Sequence, residues 1–395
     1  MPERRIVSLH HARQMVVASC VRTPVECVPT LDALNRVLAE DIRANSDMPA
    51  LPQATRDGYA VVALDTISAS HDSPVHLGIL RDSTLKSKST LLPGTALYVK
   101  SNDLLPPGAD AVVPKTSIFR EHESPTIMIL EQIEKGDGIR SAGWLAAAGD
   151  VLIPKGTRIK PQHLGISGLL KIESLKVACK PRIRAVFSTP DKDSELQNSI
   201  GLWMAAILNR SGGNLTEIKS IDPGRLPIVE LLSHDDQNVD FTLIVLDNGQ
   251  PSDPAINALR YKSKMLFERI QMTPSGPVAF GNKSGHPVLL CGLNNLDAII
   301  ESLVHPGLCE SLGCINTGRT LITARSASTL KASSGGTSIL RAGAEFIDGT
   351  IWVHPVSDRA PWTSPTEHLE GYILVPEESE AIRRGDPVDF IWIIH

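Results

Sequence analysis

Aromatic residues are scarce in this chain, 4% of its 395 residues, so its cores must be filled by Leu, Ile, Val and Ala. The six cysteines (Cys20, Cys27, Cys179, Cys291, Cys309 and Cys314) contain no C-x-x-C pair. That excludes a disulfide framework and the usual zinc ribbons. His305 with Cys309 and Cys314 matches no standard zinc spacing, and small buried thiols kept reduced are the better reading. No apolar stretch approaches the roughly 20 residues that cross a bilayer. The basic start "MPERRIVSLHHARQMVVASC" breaks its apolar run at His10, His11, Arg13 and Gln14, so no signal-peptide core forms. An excess of positive charge is missing too: 39 basic residues against 44 acidic ones leave a net charge of -5, which argues against a general nucleic-acid or anionic-membrane binder. The expectation is a cytoplasmic protein with neither nucleic acid nor membrane as partner.

The 42% hydrophobic and 21% charged content is that of a globular chain, and its length suggests roughly two to four domains. Val7, Ala12, Met15 and Val16 recur at helical spacing. Thr30 is placed to cap a second helix through Leu31, Leu34, Val37 and Leu38, so 1–45 reads as helical and linker segments. From 46 to 141 the pattern changes to "YAVVAL", "VHLGIL", "TALYVK", "ADAVVP" and "TIMILEQI", short apolar runs of a β-rich module, read as a small barrel or roll. The segment 142–179, with a helix opened by Pro161, is expected to pair with 23–45. Between 180 and 318 the runs "RIRAVFST", "NLTEIKSI", "FTLIVLD" and "HPVLLCGL" alternate with helices, one of them lined by Ile200, Met204, Ile207 and Leu208 and stopped at Ser211-Gly212-Gly213. Such alternation predicts a doubly wound, mostly parallel α/β domain with helices on both faces. Past 319 the helices vanish, leaving a C-terminal β domain, barrel-like, to 395.

In a doubly wound sheet, ligands bind beyond the carboxyl ends of the strands. Three loops qualify: "STPDKDS", "LDNGQPSDP" and "LCGLNNLDA". Asp191, Asp193, Asp247 and Asp253 in them suit a hard cation such as magnesium, and equally suit capping of the helices that follow. In "PALPQATRDGYAVV" the pair Asp57-Gly58, taken alone, reads as a turn entering a strand.

Taken in order, these segments resemble the MoeA family, the molybdopterin molybdenumtransferases, whose eukaryotic relative is the E domain of gephyrin. "ATRDGYAVV" is similar to the family's S-A-M-D-G-Y-A-V and puts Asp57 on its active-site aspartate. "LPPGADAVV", with Asp110, is similar to P-x-G-A-D-x-V-V, "GDGIRSAG", with Arg140, to N-I-R-x-x-G, and "AAGDVLIPKGTRI" fits almost residue for residue. The resemblance implies molybdate and adenylylated molybdopterin as substrates, Mg2+ as cofactor and a homodimer whose cleft lies between the sheet domain of one subunit and the β module of the other. It implies Asp57 and Asp191 as the catalytic carboxylates engaging magnesium or molybdate, and Lys100 and Arg140 facing anionic groups. Ser188 and Thr189 would donate to the pterin phosphate, with Asp110 also at the substrate; Asp247 and Asp253 are substrate-binding candidates from the sheet loop alone.

The departures matter as much. The family's M-T-G becomes Val99-Lys100-Ser101, its R-R-x-G-E-D becomes Arg140-Ser141-Ala142-Gly143-Trp144-Leu145, and its S-T-G-D-E becomes Ser188-Thr189-Pro190-Asp191-Lys192. Its M-K-P-G-K-P becomes Met272-Thr273-Pro274-Ser275-Gly276-Pro277, with neither lysine. A polyanionic substrate needs such cations, each charge-assisted bond contributing about 1.5–3 kcal/mol. Two readings are open: a transferase with reduced or lost turnover, or a non-catalytic molybdopterin-binding or regulatory relative.

Overall fold

A computed structural model describes residues 5–80, 90–121, 124–190, 195–234, 237–247, 252–331, 336–356, 369–377, 379 and 381–393. The chain forms two compact units, 1–40 together with 155–395, and 41–154.

The first unit is built on a six-stranded sheet in the order Asn214–Ile221, Arg182–Ser188, Phe241–Leu246, His286–Gly292, Val278–Lys283, Lys264–Phe267. The first four strands run parallel and the last two pair antiparallel. Their near-continuous apolar runs reflect cover on both faces. Ile183, Ala185 and Phe187 point toward the helices Leu9–Ser19 and Glu195–Arg210. Val186, Ile244 and Leu246 point toward Arg225–Leu231 and Asp253–Lys262. The doubly wound expectation therefore holds, as does the glycine stop of the helix Glu195–Arg210, with Gly212 at φ 94. One connection differs from simple alternation. "PVAFGN" and "HPVLLCGL" form a tight hairpin, because Ser284 and Gly285 take φ 51 and 94 and turn the chain in two residues.

The expected second helix is a correction. Only Thr30–Ala33 form a single 3-10 turn, and the chain beyond is extended, with Val37 and Leu38 bridged to Arg158 and Val177. Its backbone groups find partners on two neighbouring segments: Asn35 N–H donates to Ile159 O at 2.9 Å, and Ala39 N–H to Lys176 O at 2.9 Å. These bonds, with Val37 and Leu38 buried, outweigh a helical spacing that would have left the same residues on one stripe. Nearby, Val25–Pro29 pairs with Ser174–Ala178.

The C-terminal strands close a barrel. Thr337–Ile347 pairs with both Thr350–Pro355 and Gly371–Val375, and the ring is completed through Pro387–Trp392 and Leu321–Ser326. Closure removes exposed sheet edges, and Ala342, Val353, Ile373 and Phe390 fill the interior.

The second unit carries one six-stranded sheet, ordered Ala111–Pro114, Gly58–Val61, Thr95–Val99, Val75–Leu80, Thr126–Ile129, Ile118–Phe119. Among the described residues its outer strands do not pair, so it is an open sheet where the sequence suggested a barrel or roll. Two short ribbons flank it, Val151–Ile153 with Ile42–Arg43 and Ile139–Arg140 with Gln53–Ala54. Among the described residues, no helix is long and apolar enough to cross a membrane.

Candidate functional site

The Asp57-Gly58 pair is both a strand entry and part of a polar cluster. Gly58 pairs with Val99 on one side and Pro114 on the other, and a Cβ there would lie 2.1 Å from Val113 O. Only glycine lets the three strands approach so closely, and that approach gathers the ends of both partner strands around Asp57. Ser101 N–H donates to Asp57 Oδ1 at 2.9 Å and Tyr98 Oη to Oδ2 at 3.5 Å. Lys115 Nζ lies 4.8 Å from the centre of the Tyr98 ring. Its ammonium is held above the usual lysine range, first by Tyr98 and also by the charge of Asp57.

Residues 100–103 form a turn. Asp103 N–H returns to Lys100 O at 3.0 Å, Asp103 Oδ2 accepts from Lys100 N–H at 2.8 Å, and Asn102 takes φ 71. Arg140 reaches the same turn, donating to Asn102 Oδ1 at 3.3 Å, because its ribbon partner Gln53 also donates to Asn102 O at 3.2 Å. Trp144 lies under the guanidinium, 4.8 Å from ring centre to Cζ, with its Nε1 donating to Gln53 Oε1 at 3.4 Å. An indole therefore covers Arg140 where the family motif carries an acid, and leaves the positive charge uncancelled. Asp57, Lys100 and Arg140 thus come together around one turn.

Asp110 does not join them. Its Oδ1 accepts Ala63 N–H at 2.6 Å, at the start of the 3-10 turn Ala63–Thr66, and Lys135 Nζ lies 3.8 Å from Oδ2. In the antiparallel register Gly58 faces Pro114 and Val61 faces Ala111, so Asp110 sits roughly 16 Å along the strand from Asp57. It acts as a helix-turn cap.

In the other unit, Ser188 and Thr189 end a central strand and are buried. Thr189 Oγ1 donates to Asp247 Oδ2 at 3.2 Å, and Asp247 N–H donates to Ser188 O at 3.3 Å. The parallel register that sets Ser188 beside Leu246 brings these loops together. Asp253 is exposed in the first turn of the helix Asp253–Lys262, where a carboxylate complements the helix dipole. Asp191 and Asp193 lie outside the described residues. Among the described residues, no three His, Cys, Asp or Glu side chains converge as a metal cage.

Beyond the last parallel strand lies a cavity of about 540 Å³ lined by Thr273, Ser275, Asn294, Asp297, Arg341 and Tyr372, within the size range of ligand pockets. Arg341 donates to both oxygens of the fully buried Asp297, from Nε at 2.6 Å and Nη2 at 2.7 Å, and Tyr372 Oη donates to Oδ2 at 3.1 Å. Burial, then the Asp297 charge, pushes the Tyr372 phenol well above its usual range. Asn295 is fully buried beneath the loop, and a Cβ on Gly276 would lie 2.8 Å from its Nδ2. Neither amide atom of Asn295 has a partner among the described residues.

Sequence reasoning missed Tyr98, Ser101 and Lys115, although their strand positions beside the partners of Gly58 would locate them. Asp297 lies in the loop "LCGLNNLDA" that the sequence marked as a ligand-binding candidate, whereas Arg341 and Tyr372 carry no local signal.

A closed barrel joined to a helix-flanked parallel sheet, and a separate β-rich unit bearing the D-G-Y turn, make up a fold that a solved structure shares. The crystal structure of the molybdopterin biosynthesis MoeA protein from Pyrococcus horikoshii OT3 matches with a TM-score of 0.80, covering 98% of this chain and 100% of that one at 22% identity. Residues 7–168 match the family model of the MoeA N-terminal region (domain I and II). Molybdopterin molybdenumtransferase 2 of Mycobacterium tuberculosis H37Rv is 25% identical over 404 residues, 96% of this chain and 98% of that protein. The molybdopterin molybdenumtransferase of Bacillus subtilis is 30% identical over 207 residues, 51% of this chain and 47% of its own length. Residues 7–168 thus fit the MoeA N-terminal region, and nearly the whole chain is similar to molybdopterin molybdenumtransferases.

Proposed function

We propose that this protein serves molybdenum cofactor biosynthesis as a molybdopterin molybdenumtransferase-like protein, binding adenylylated molybdopterin and molybdate in the cytoplasm with reduced or lost turnover. The observation that carries this reading is the gathering of Asp57, Lys100 and Arg140 on one turn inside the segment that matches the MoeA N-terminal region. Two cations beside a carboxylate suit a substrate with phosphate groups. Ser188 and Thr189 supply hydroxyls at the carboxyl end of the sheet for the pterin phosphate, with Asp247 orienting Thr189. Magnesium is ordinarily held beside phosphates by one or two carboxylates and not by an all-protein cage, a donor set that Asp57 and Asp191 offer. When bound it would neutralise phosphate charge. Neither nucleic acid nor membrane enters this reading.

The alternative is a non-catalytic molybdopterin-binding or regulatory relative, favoured by the loop 273–277. It carries no lysine, and Asn295 fills the space beside Gly276.

Equilibrium titration of the purified chain with adenylylated molybdopterin tests the proposal. Saturable binding is expected, weakened about tenfold by either Lys100→Ala or Arg140→Ala, the loss of one charge-assisted bond of about 1.5 kcal/mol. Absence of binding at high micromolar ligand would reject both readings. The protein is further expected to be a homodimer, so light scattering at micromolar concentration should give about twice the 42.6 kDa of one chain. A mass of one chain would reject the assembly.

A further inference from the structure

The helix His305–Leu312 ends with Gly313 at φ 77, whose N–H donates to Glu310 O at 3.0 Å, while Cys314 N–H returns to Cys309 O at 2.9 Å. This bond pair is a Schellman closure, which brings together the side chain two residues past the helix end and the one at its fourth-last position. Two apolar groups commonly meet there. This chain supplies two thiols at those positions instead, Cys314 and Cys309, on residues joined by a backbone hydrogen bond. Their C-x4-C spacing becomes a neighbouring pair only because Gly313 reverses the backbone.

We propose that Cys309 and Cys314 form an oxidisable dithiol, in which a hydroperoxide converts Cys314 to a sulfenic acid that Cys309 resolves into an intramolecular disulfide. Cys314 is half-buried, whereas Cys309 is buried, so the peroxide reaches Cys314 first. Arg158 faces both thiols and favours both thiolates, and Arg22 adds its charge at Cys314. The hydrogen bond from Cys309, then Arg158 and Arg22, hold the Cys314 thiol down at about 7 despite its partial burial. Arg22 is itself paired to Glu310 at 2.9 Å. Cys309 is pushed well above the usual thiol range by the bond to Cys314 and by burial. His305 Nε2 lies 3.6 Å from Cys309 Sγ but offers no imidazolium, because burial and the surrounding arginines lower it to about 2. Thiolate attack belongs to the low-pKa partner and resolution to the other.

The chemistry balances with the peroxide as oxidant. Cys314 sulfur attacks ROOH, an S–O bond forms as O–O breaks, and ROH leaves with a proton. Cys309 sulfur then loses its proton and attacks Cys314 sulfur, so that S–S forms, S–O breaks and water departs. Two thiols lose two electrons, and the peroxide is reduced to alcohol and water. None of the residues assigned to molybdopterin takes part, so the inference stands apart from that function.

The full chain treated with one equivalent of hydrogen peroxide, alkylated, and cut by a protease after Glu310 gives the test. The cut separates the two cysteines, so the disulfide is expected to hold the fragments together until dithiothreitol releases them. Cys309→Ser should leave a sulfenic acid at Cys314 that dimedone traps. In the unmodified protein, iodoacetamide should label Cys314 faster than the exposed Cys27, with a rate half-maximal near pH 7. Over-oxidation of Cys314 to sulfinic acid beside an alkylated Cys309, or labelling of Cys27 ahead of Cys314, would overturn the proposal.

Discussion

Asp297→Ala is expected to cost the larger unit about 3–5 kcal/mol, the usual consequence of removing one partner of a buried ion pair. Asp297 is 0% exposed and accepts three hydrogen bonds, two from Arg341 and one from Tyr372. Truncation removes the carboxylate from a guanidinium that keeps only weaker neutral acceptors such as Asn294 O, and from the buried phenol of Tyr372, and each loss is penalised. The contact also ties the helical turn Leu296–Ile299, at the end of the parallel sheet, to the barrel strand Thr337–Ile347. Urea unfolding followed by circular dichroism should therefore show the barrel losing structure before the sheet domain. The exposed Asp253→Ala is the control, expected to lose no more than about 1 kcal/mol of dipole interaction. If the paired charge merely fills space, Asp297→Leu combined with Arg341→Met should recover most of the loss, because apolar replacement of a buried pair is often neutral. A loss below about 1 kcal/mol for Asp297→Ala would mean that Arg341 relaxes into solvent.

The sequence was informative where burial is simple and silent where contacts are long-range. The strands Arg182–Ser188 and Phe241–Leu246 could be recognised because burial on both faces demands unbroken apolar runs. Gly212 marked a helix end because its left-handed φ has a local sequence cost. The segment around Leu34 misled, since Val37 and Leu38 are apolar for a sheet bridge as well as for a helix stripe, and the deciding partners, Arg158 and Val177, lie far along the chain. Asp57 was legible as a motif, but its neighbours Tyr98 and Lys115 are defined by strand register. Asp110 shared the motif's spacing yet serves as a backbone cap. Asp297, Arg341 and Tyr372 meet across separations of 44 and 75 residues, and neither spacing nor composition encodes such a meeting.

Expressed in a cell that lacks its own molybdenumtransferase, the protein is expected not to restore a molybdenum-dependent enzyme such as nitrate reductase at ordinary molybdate. The loop Met272-Thr273-Pro274-Ser275-Gly276-Pro277 lacks both lysines of the resembling K-P-G-K-P segment, and the acids after Arg140 are Trp144-Leu145. Two lost charge-assisted bonds at about 1.5–3 kcal/mol each amount to roughly two to four orders of magnitude in transition-state binding. The structure adds a reason why one reversion is not enough. A side chain at 276 would press on Asn295, with Cβ 2.8 Å from Nδ2, so Gly276→Lys requires Asn295→Ala to make room. The triple variant Thr273→Lys, Gly276→Lys, Asn295→Ala is expected to recover part of the activity where either lysine alone does not. Nitrate reduction must be assayed at low molybdate, since high molybdate can bypass the step, and soluble protein must be verified by immunoblot. Robust restoration by the unaltered chain, abolished by Asp57→Ala, would establish full turnover and reject the degenerate site.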